Sequence, residues 1–496
     1  MEIVFNSRTV PCFREAYRQT KLIQEHLECV VPDVKDDIGK IAWAEAQISL
    51  KSKDIGPESV VVGAAAEISV FYLTEGRESA ACVNCTKALE IEFEYGGAAE
   101  ELEAQISLLS QGVQARAVNP RKFALDLTVR AELYCYAREE TIVSVSAENG
   151  GAGGLQLLCR QDEALLLSQI CEKSFVVSEQ LPLSVEGAEH IVSSHASLVS
   201  GACQMIGGKA LIKGGAELSV AFETGESAAP VFVEQCVPFS VLIDSGEEEA
   251  ELDSLLLQPT ALYVNLSDAI NGRGMLELEL HATAQASFVR RAQIEWIADA
   301  YSTRCPVRSK QSALAVCRGS ERRELACECA ESVSLDTDGA VLLAQHAELL
   351  SFAVREDSAA ASVAVCLLLR NADGSLDSVQ KLLSAECALP AEDYTLESAR
   401  IASLSVRAAS DRLEISLGLC FVCLRSEKEE LNCLTAVELE EDMACDPGSV
   451  PSLCAVRRQG RSLWELAKTY SSSTEAIVRL NEKYPMNTDF LLIPRL

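Results

Sequence analysis

Three long runs of strict apolar/polar alternation constrain this chain more than any other feature. In the first, Phe123, Leu125, Leu127, Val129, Ala131, Leu133 and Cys135 alternate with Ala124, Asp126, Thr128, Arg130, Glu132 and Tyr134. The second sets Leu276, Leu278, Leu280, Ala282, Ala284 and Ala286 against Glu277, Glu279, His281, Thr283 and Gln285. The third places Leu413, Ile415, Leu417, Leu419 and Phe421 on one face. A period of two sustained this long predicts an antiparallel strand with an apolar inner face and a solvated outer one. Turn signals precede each run: Asn119-Pro120-Arg121, Asn271-Gly272 and Ser410-Asp411. Upstream of each turn lies a shorter alternating strand: Ala66–Phe71, Ala216–Ala221 and Ala361–Cys366.

The connectors repeat as well. Cys159-Arg-Gln-Asp-Glu163 matches Cys317-Arg-Gly-Ser-Glu321, each between short apolar runs, so each is expected to form a small hairpin between bodies. Asn149-Gly-Gly-Ala-Gly-Gly154 reads as a linker, and Pro447-Gly448 and Pro451 separate the third copy from the tail. The expected division is 1–154, holding an N-terminal extension and the first β body; 155–305, the second; 306–446, the third; and 452–496, the tail. Each body is large enough for its own core. The fold class expected is mainly β, three tandem antiparallel β-rich, sandwich-like domains and a small α+β tail. Within residues 1–30, Arg14 to Glu28 mixes helical and strand patterns.

The tail predicts strand, helix, helix, strand. Ser462 is suited to cap a helix with Leu463, Leu466, Ala467 and Tyr470 on one face. Thr474 can cap a second, with Ile477, Val478 and Leu480 inward and Asn481 ending it. Leu453 to Val456 and Phe490 to Ile493 supply the strands, and Pro494 stops the last.

Gln459-Gly460-x-Ser462-Leu463-Trp464-x-Leu466-Ala467, Leu480-Asn481 and Leu492-Ile493-Pro494 resemble the LysM family in order and spacing. The resemblance implies a βααβ module whose loops hold a partner or an N-acetylated glycan, at Gln459, Gly460, Arg461, Ser462, Leu463, Trp464, Asn481 and Tyr484. Arg461 stands where the family usually has Asp, and Asn487-Thr488-Asp489 replaces a Pro-Gly turn. Trp464 has two readings: packing on the module's own core, or anchoring a partner beside Gly460 and Arg461.

In the second copy, Gly214-x-x-Glu217-Leu-Ser-Val220, Val237-Pro-Phe-Ser-Val-Leu-Ile-Asp244 and Asp299-Ala-Tyr-Ser-Thr303 resemble the spore-coat-associated β-domain family known as SPOCS. The last motif is missing from copies one and three. Such repeats followed by a LysM module look like the spore morphogenetic proteins of clostridia. That resemblance implies a non-enzymatic sporulation protein, located in the mother cell at the forespore surface, whose tail binds the spore-coat scaffold ATPase. Peptidoglycan binding by the same tail is the alternative.

Composition bears on these expectations. Residues 452–496 carry a net charge of +3, while the rest of the chain carries −34. So acidic a body repels phosphate backbones and disfavours nucleic acid as a partner. Met1-Glu-Ile-Val-Phe-Asn lacks the basic and apolar regions of an export signal. No apolar run reaches the ~20 residues that span a bilayer. The 20 cysteines lack metal spacing and are expected to be reduced thiols packed as small hydrophobes. Two CxxC pairs occur, Cys82/Cys85 and Cys420/Cys423. The second lies in a strand-like run, where residues three apart point to opposite faces and are poorly placed to chelate one metal, and the first has no nearby His or second pair with zinc-like spacing.

No catalytic constellation is expected, and no cofactor or metal. His190 and His195 lack further ligands, and His281 falls on a solvated face. Gly207-Gly208-Lys209 and Lys213-Gly214-Gly215 lack the phosphate-loop frame. Asp244, Glu247, Glu248 and Glu249 read as a solvated acidic turn.

Overall fold

Alternation becomes strand throughout most of the chain, and the strands repeat as sets of six in this computed structural model. The structure describes all residues except 1, 4, 97–101, 148–153, 184, 186, 226, 271–272, 335–339, 392, 409–411, 441–451 and 485–489. A short strand β1 (Glu2–Ile3) precedes the first set: β2 (Phe5–Val30), β3 (Ile38–Ile55), β4 (Ser59–Thr74), β5 (Ala80–Glu94), β6 (Leu102–Asn119) and β7 (Lys122–Ala147). The second comprises β8 (Leu155–Pro182), β9 (Ala188–Ile206), β10 (Lys209–Thr224), β11 (Val231–Asp244), β12 (Glu251–Ile270) and β13 (Arg273–Ser302). The third comprises β14 (Val307–Ser334), β15 (Val341–Arg355), β16 (Ser358–Arg370), β17 (Leu376–Ala388), β18 (Thr395–Ala408) and β19 (Arg412–Leu439). All pairings are antiparallel.

Within each set the wiring is the same. Strands two to four form a three-stranded sheet, while the first strand pairs with the sixth and the fifth flanks the sixth. The sixth strand's alternation faces that sheet: Phe123, Leu125, Leu127 and Val129 are buried against Val60, Val62 and Ile68, Leu276 to Phe288 against Leu218 and Val220, and Leu413 to Phe421 against Val363 and Val365.

Two expectations are corrected by the length of these strands. The N-terminal stretch is not an extension of mixed pattern; Phe5–Val30 is one strand, paired to β7 from Phe5↔Ala147 to Val30↔Lys122. Nor are Cys159–Glu163 and Cys317–Glu321 hairpins. They lie inside β8 and β14, paired without a turn to β13 and β19. Short apolar runs on either side of a polar stretch look like a hairpin locally, but a partner strand lets the backbone continue straight. Asn119 ends β6 at the expected turn. The turns at Asn271-Gly272 and Ser410-Asp411, most of the Gly-rich linker, the Pro447-Gly448 break and the 487–489 loop lie outside the described residues.

Because each first-to-sixth ribbon is longer than the sheet it covers, its far half packs against the other ribbons. Ile3 of β1, Leu155 and Ile297 of the second set and Leu434 and Val437 of the third share one core, with Phe5 and Ala147 of the first set packed against it. Val143, Leu166, Trp296, Val316 and Leu431 share a second. The outer faces are therefore not all solvated. Thr283 and Gln285, expected to face water, are buried, and the Gln285 carboxamide bonds the Ile106 N–H and C=O of β6 at 2.8 Å each. Gln258 likewise accepts from Leu108 N–H at 2.9 Å, and Gln47 from Ala196 N–H at 2.9 Å. Neighbouring side chains thus satisfy edge-strand groups that would otherwise be open to pairing with another chain. His281 does stay on the open side, 2.6 Å from Glu279.

The three-stranded sheets meet around a third shared cluster, which holds Trp43, Phe71, Ala221, Cys366 and Leu368. Trp43 stacks on Phe71 at 4.7 Å and on His346 at 6.1 Å. Beneath it the junction is polar. Glu45 accepts from Ser193 Oγ at 2.6 Å and lies 3.3 Å from His346 Nδ1. Burial drives Glu45 up and His195 and His346 down, His346 to about 4. Burial also raises Glu348 to about 7, against the hydrogen bonds it accepts from Val113 N–H and Ser110.

The signs of these shifts oppose each other. A raised carboxyl contributes stability at low pH that is lost as pH rises, for Glu348 between about 4.5 and about 7. A lowered histidine contributes above its ordinary value and loses it as pH falls, for His346 from 6.5 toward about 4. Glu348→Gln keeps an acceptor for Val113 but cannot ionise. The variant is expected to match wild type near pH 4 and to exceed it above pH 7 by on the order of 2 kcal/mol in urea unfolding. Identical pH profiles would remove Glu348 from the junction's energetics.

Candidate functional site: the tail and its seat

The tail is β20 (Leu453–Arg457), α1 (Leu463–Thr469), α2 (Thr474–Lys483) and β21 (Phe490–Pro494), with β20 and β21 antiparallel. Ser462 caps α1 as expected. Its hydroxyl accepts from Glu465 N–H while Glu465 reaches back to Ser462 N–H at 2.7 Å, a complete capping box. The cap of α2 is Ser473 rather than Thr474, because Ser473 Oγ is the one that reaches Ala476 N–H, at 3.1 Å.

Leu466, Ala467, Ile477, Val456 and Ile493 form the small core, with Leu463 and Tyr470 against it. Val478, expected inward, is exposed. One helix face of a domain this small can bury only a narrow stripe, and Ile477 occupies it. Asn481 does not end α2, which continues to Lys483. Its carboxamide donates to Ile477 O and Leu492 O, each at 2.7 Å, and accepts from Leu492 N–H at 2.9 Å. Asn481 therefore ties helix to strand.

The remaining residues suggested for binding divide into two groups. Gln459, Gly460 and Ser462 are exposed and Arg461 partly so, in the loop between β20 and α1. That loop turns through positive φ at Gln459 (48°) and Gly460 (79°) and is closed by Arg461 N–H to Arg458 O at 2.9 Å. Only glycine adopts such a φ without steric cost, which accounts for Gly460. Tyr484, at the end of α2, is exposed with Lys483 over its ring. Arg457 lies over exposed Phe490 at 5.4 Å.

Trp464 packs against the tail's own core, the first of its two readings, and from there reaches the second set of strands. Its indole N–H donates to Asp299 at 2.8 Å, and its ring meets Tyr301 edge-on with centroids 4.8 Å apart. Lys468 Nζ sits 2.7 and 2.8 Å from the Asp299 oxygens, and the buried Tyr301 hydroxyl donates to Ser472 O at 2.7 Å. Tyr301 is counted into the tail's own core. Thr303 completes the motif by donating to Gly154 O. Partial burial pushes the Asp299 carboxyl upward, but the Lys468 and Trp464 hydrogen bonds outweigh it and hold it below the ordinary range. Burial and the Asp299 charge lift Tyr301 to about 12, so it remains a donor.

Asp299 and Tyr301 were visible in sequence as part of Asp-Ala-Tyr-Ser-Thr, but their role as the tail's seat was not. The signal was their restriction to one copy of three: among the described residues, the tail's hydrogen bonds to the sets go to the end of the second set's sixth strand, where these groups stand. Lys468 and Ser472 gave no such signal. Among the described residues, no group of three or more His, Cys, Asp or Glu could hold a metal ion, and no helix is long and apolar enough to cross a membrane.

No protein-family model matches this chain, and no match is found among curated proteins.

Asp299→Ala removes the acceptor for Trp464 and Lys468 together. It is expected to weaken the tail's attachment by about 1–3 kcal/mol. The readout is acrylamide quenching: Trp43 and Trp296 are buried, so increased quenching reports Trp464. Since the folded Asp299 value is depressed, its contribution is present above the ordinary carboxylate range and lost as pH falls through the depressed value. Wild type should therefore approach the variant's quenching in acid.

Proposed function

We propose that this chain is a non-enzymatic assembly protein of the spore coat. In this reading the three sets of strands are tandem SPOCS-like domains, 1–154, 155–305 and 306–446, and residues 452–496 are a LysM domain. The tail recruits the spore-coat scaffold ATPase in the mother cell. The observation that carries the reading is the arrangement of the tail: its Trp464 face is engaged by Asp299 and Tyr301, while the Gln459–Ser462 loop stays in solvent. A module held this way offers its loop at a defined orientation to a large partner. Arg458 and Arg461, with Arg457 at the end of β20, give that loop a positive charge on a strongly negative chain, which favours an acidic contact surface and steers its approach.

The seat changes what Trp464 is expected to do. Its substitution acts first on the tail's attachment, so a loss of binding in Trp464→Ala would not by itself identify a partner contact. Arg461 is free of the seat and makes the cleaner probe. In pull-downs with the purified scaffold ATPase, the full chain should retain the partner and a chain ending at Pro447 should lose it. Arg461→Glu should weaken binding about 10-fold, in line with ~1–2 kcal/mol for a charge reversal at an interface. Equal retention by full and shortened chains would show that the tail does not recruit. Retention of the full chain on peptidoglycan, with none on the ATPase, would support glycan binding instead.

A further inference from the structure

Along one side of the first set, β2 runs beside β5 although the two belong to different sheets. Their side chains meet in successive rungs. Tyr17 faces Tyr95 with ring centroids 6.2 Å apart. Lys21 donates to Glu92 O at 2.5 Å and lies 5.3 Å from the Phe93 ring centre. Glu25 is 2.8 Å from Lys87 Nζ. Each rung advances four residues along β2 and retreats along β5, and the next one is Cys29 and Cys85. Both side chains are partly buried against the core of the first set, and the Cys29 thiol is, after burial, what acts most on Cys85. Cys82 points the opposite way, into the cluster with Trp43, as residues three apart on a strand must.

The second set has the same seam without the thiol pair. Between β8 and β11, Phe175 meets Phe239 at 5.3 Å, Lys173 donates to Leu242 O at 2.7 Å, and the Cys171 thiol faces Asp244 O at 3.8 Å. The seam therefore closes by ordinary packing, and paired thiols are not needed to build it. In the first set their juxtaposition adds a chemical possibility. Thiols that face each other from two packed strands can be joined where their Cα atoms lie within about 7 Å.

We propose that Cys29 and Cys85 are a redox modification site, at which a small-molecule disulfide oxidises the pair and ties β2 to β5. The Cys29 thiolate attacks one sulfur of the oxidant and expels a thiolate, leaving a mixed disulfide on Cys29. Cys85 then loses its proton and attacks the Cys29 sulfur, expelling the second thiolate. Two protein thiols become one disulfide, the oxidant is reduced to two small thiols, and the two protons released from the protein end on them. Burial and the contact with Cys29 push Cys85 up to about 12, so this second step is slow near neutral pH and quickens as pH rises.

The test uses the full chain and oxidised glutathione. After incubation at pH 7 and pH 9, remaining thiols are blocked with N-ethylmaleimide under denaturation, and the chain is digested with trypsin without reduction. The expected product joins peptides 22–35 and 78–87, disappears on reduction, and forms at least 10-fold faster at pH 9. Because Cys82 lies in the same peptide as Cys85, fragmentation must assign the bond to Cys85. In Cys85→Ser, Cys29 should instead accumulate as the glutathione mixed disulfide. A bond assigned to Cys82 would overturn the proposal. So would wild-type Cys29 that keeps its glutathione, or recovery of both cysteines as maleimide adducts.

Discussion

Everything else in this structure depends on the pairing of the first strand of each set with its last. That pairing brings together residues more than a hundred positions apart, Phe5 with Ala147, Leu155 with Ser302 and Val307 with Leu439. It produces a ribbon longer than the sheet it covers. One half of the ribbon closes the set's own core, and the surplus half carries a second apolar surface. Exposing three such surfaces would leave large apolar patches in water, so the ribbons pack on one another. The two shared cores follow from that excess length.

The joint between the sets is not only apolar. Gln47, Gln258 and Gln285 reach across to bond the backbone of neighbouring strands, and Glu45, His195, His346 and Glu348 lie where the three-stranded sheets meet. Trp43 Nε1, His195 Nδ1 and His346 Nε2 are buried there with no hydrogen-bond partner among the described residues. Buried amides acting as surrogate strand partners fix register between sets, because only one alignment satisfies both N–H and C=O. The same groups make the joint responsive to pH, with carboxyls and imidazoles pulling in opposite directions.

The tail is tied to this body by a small polar and aromatic seat. Its own core is a handful of residues, so Tyr301 from the second set serves as an additional wall. The indole of Trp464 and the ammonium of Lys468 both donate to the carboxylate of Asp299. This division assigns one face of the tail to attachment and leaves the basic loop as the available one. The proposed docking role rests on that separation.

The sequence by itself determined the third and sixth strands of each set, the apolar faces of the sixth strands, the threefold recurrence and the order strand, helix, helix, strand in the tail, including the Ser462 cap. All of these follow from local periodicity and local hydrogen bonding, which a single stretch of chain can express. It did not determine that Phe5–Val30 is a strand, that β8 and β14 run straight through Cys159–Glu163 and Cys317–Glu321, or that Thr283 and Gln285 are buried. Each depends on a partner distant in sequence, whose presence changes which face is wet and whether the backbone must turn. Trp464 shows the limit most clearly. Its neighbours in the chain allowed it either to pack inward or to stand free, and only the tertiary structure, by placing Asp299 and Tyr301 within 2.8 Å and 4.8 Å, decided that it holds the tail to the body.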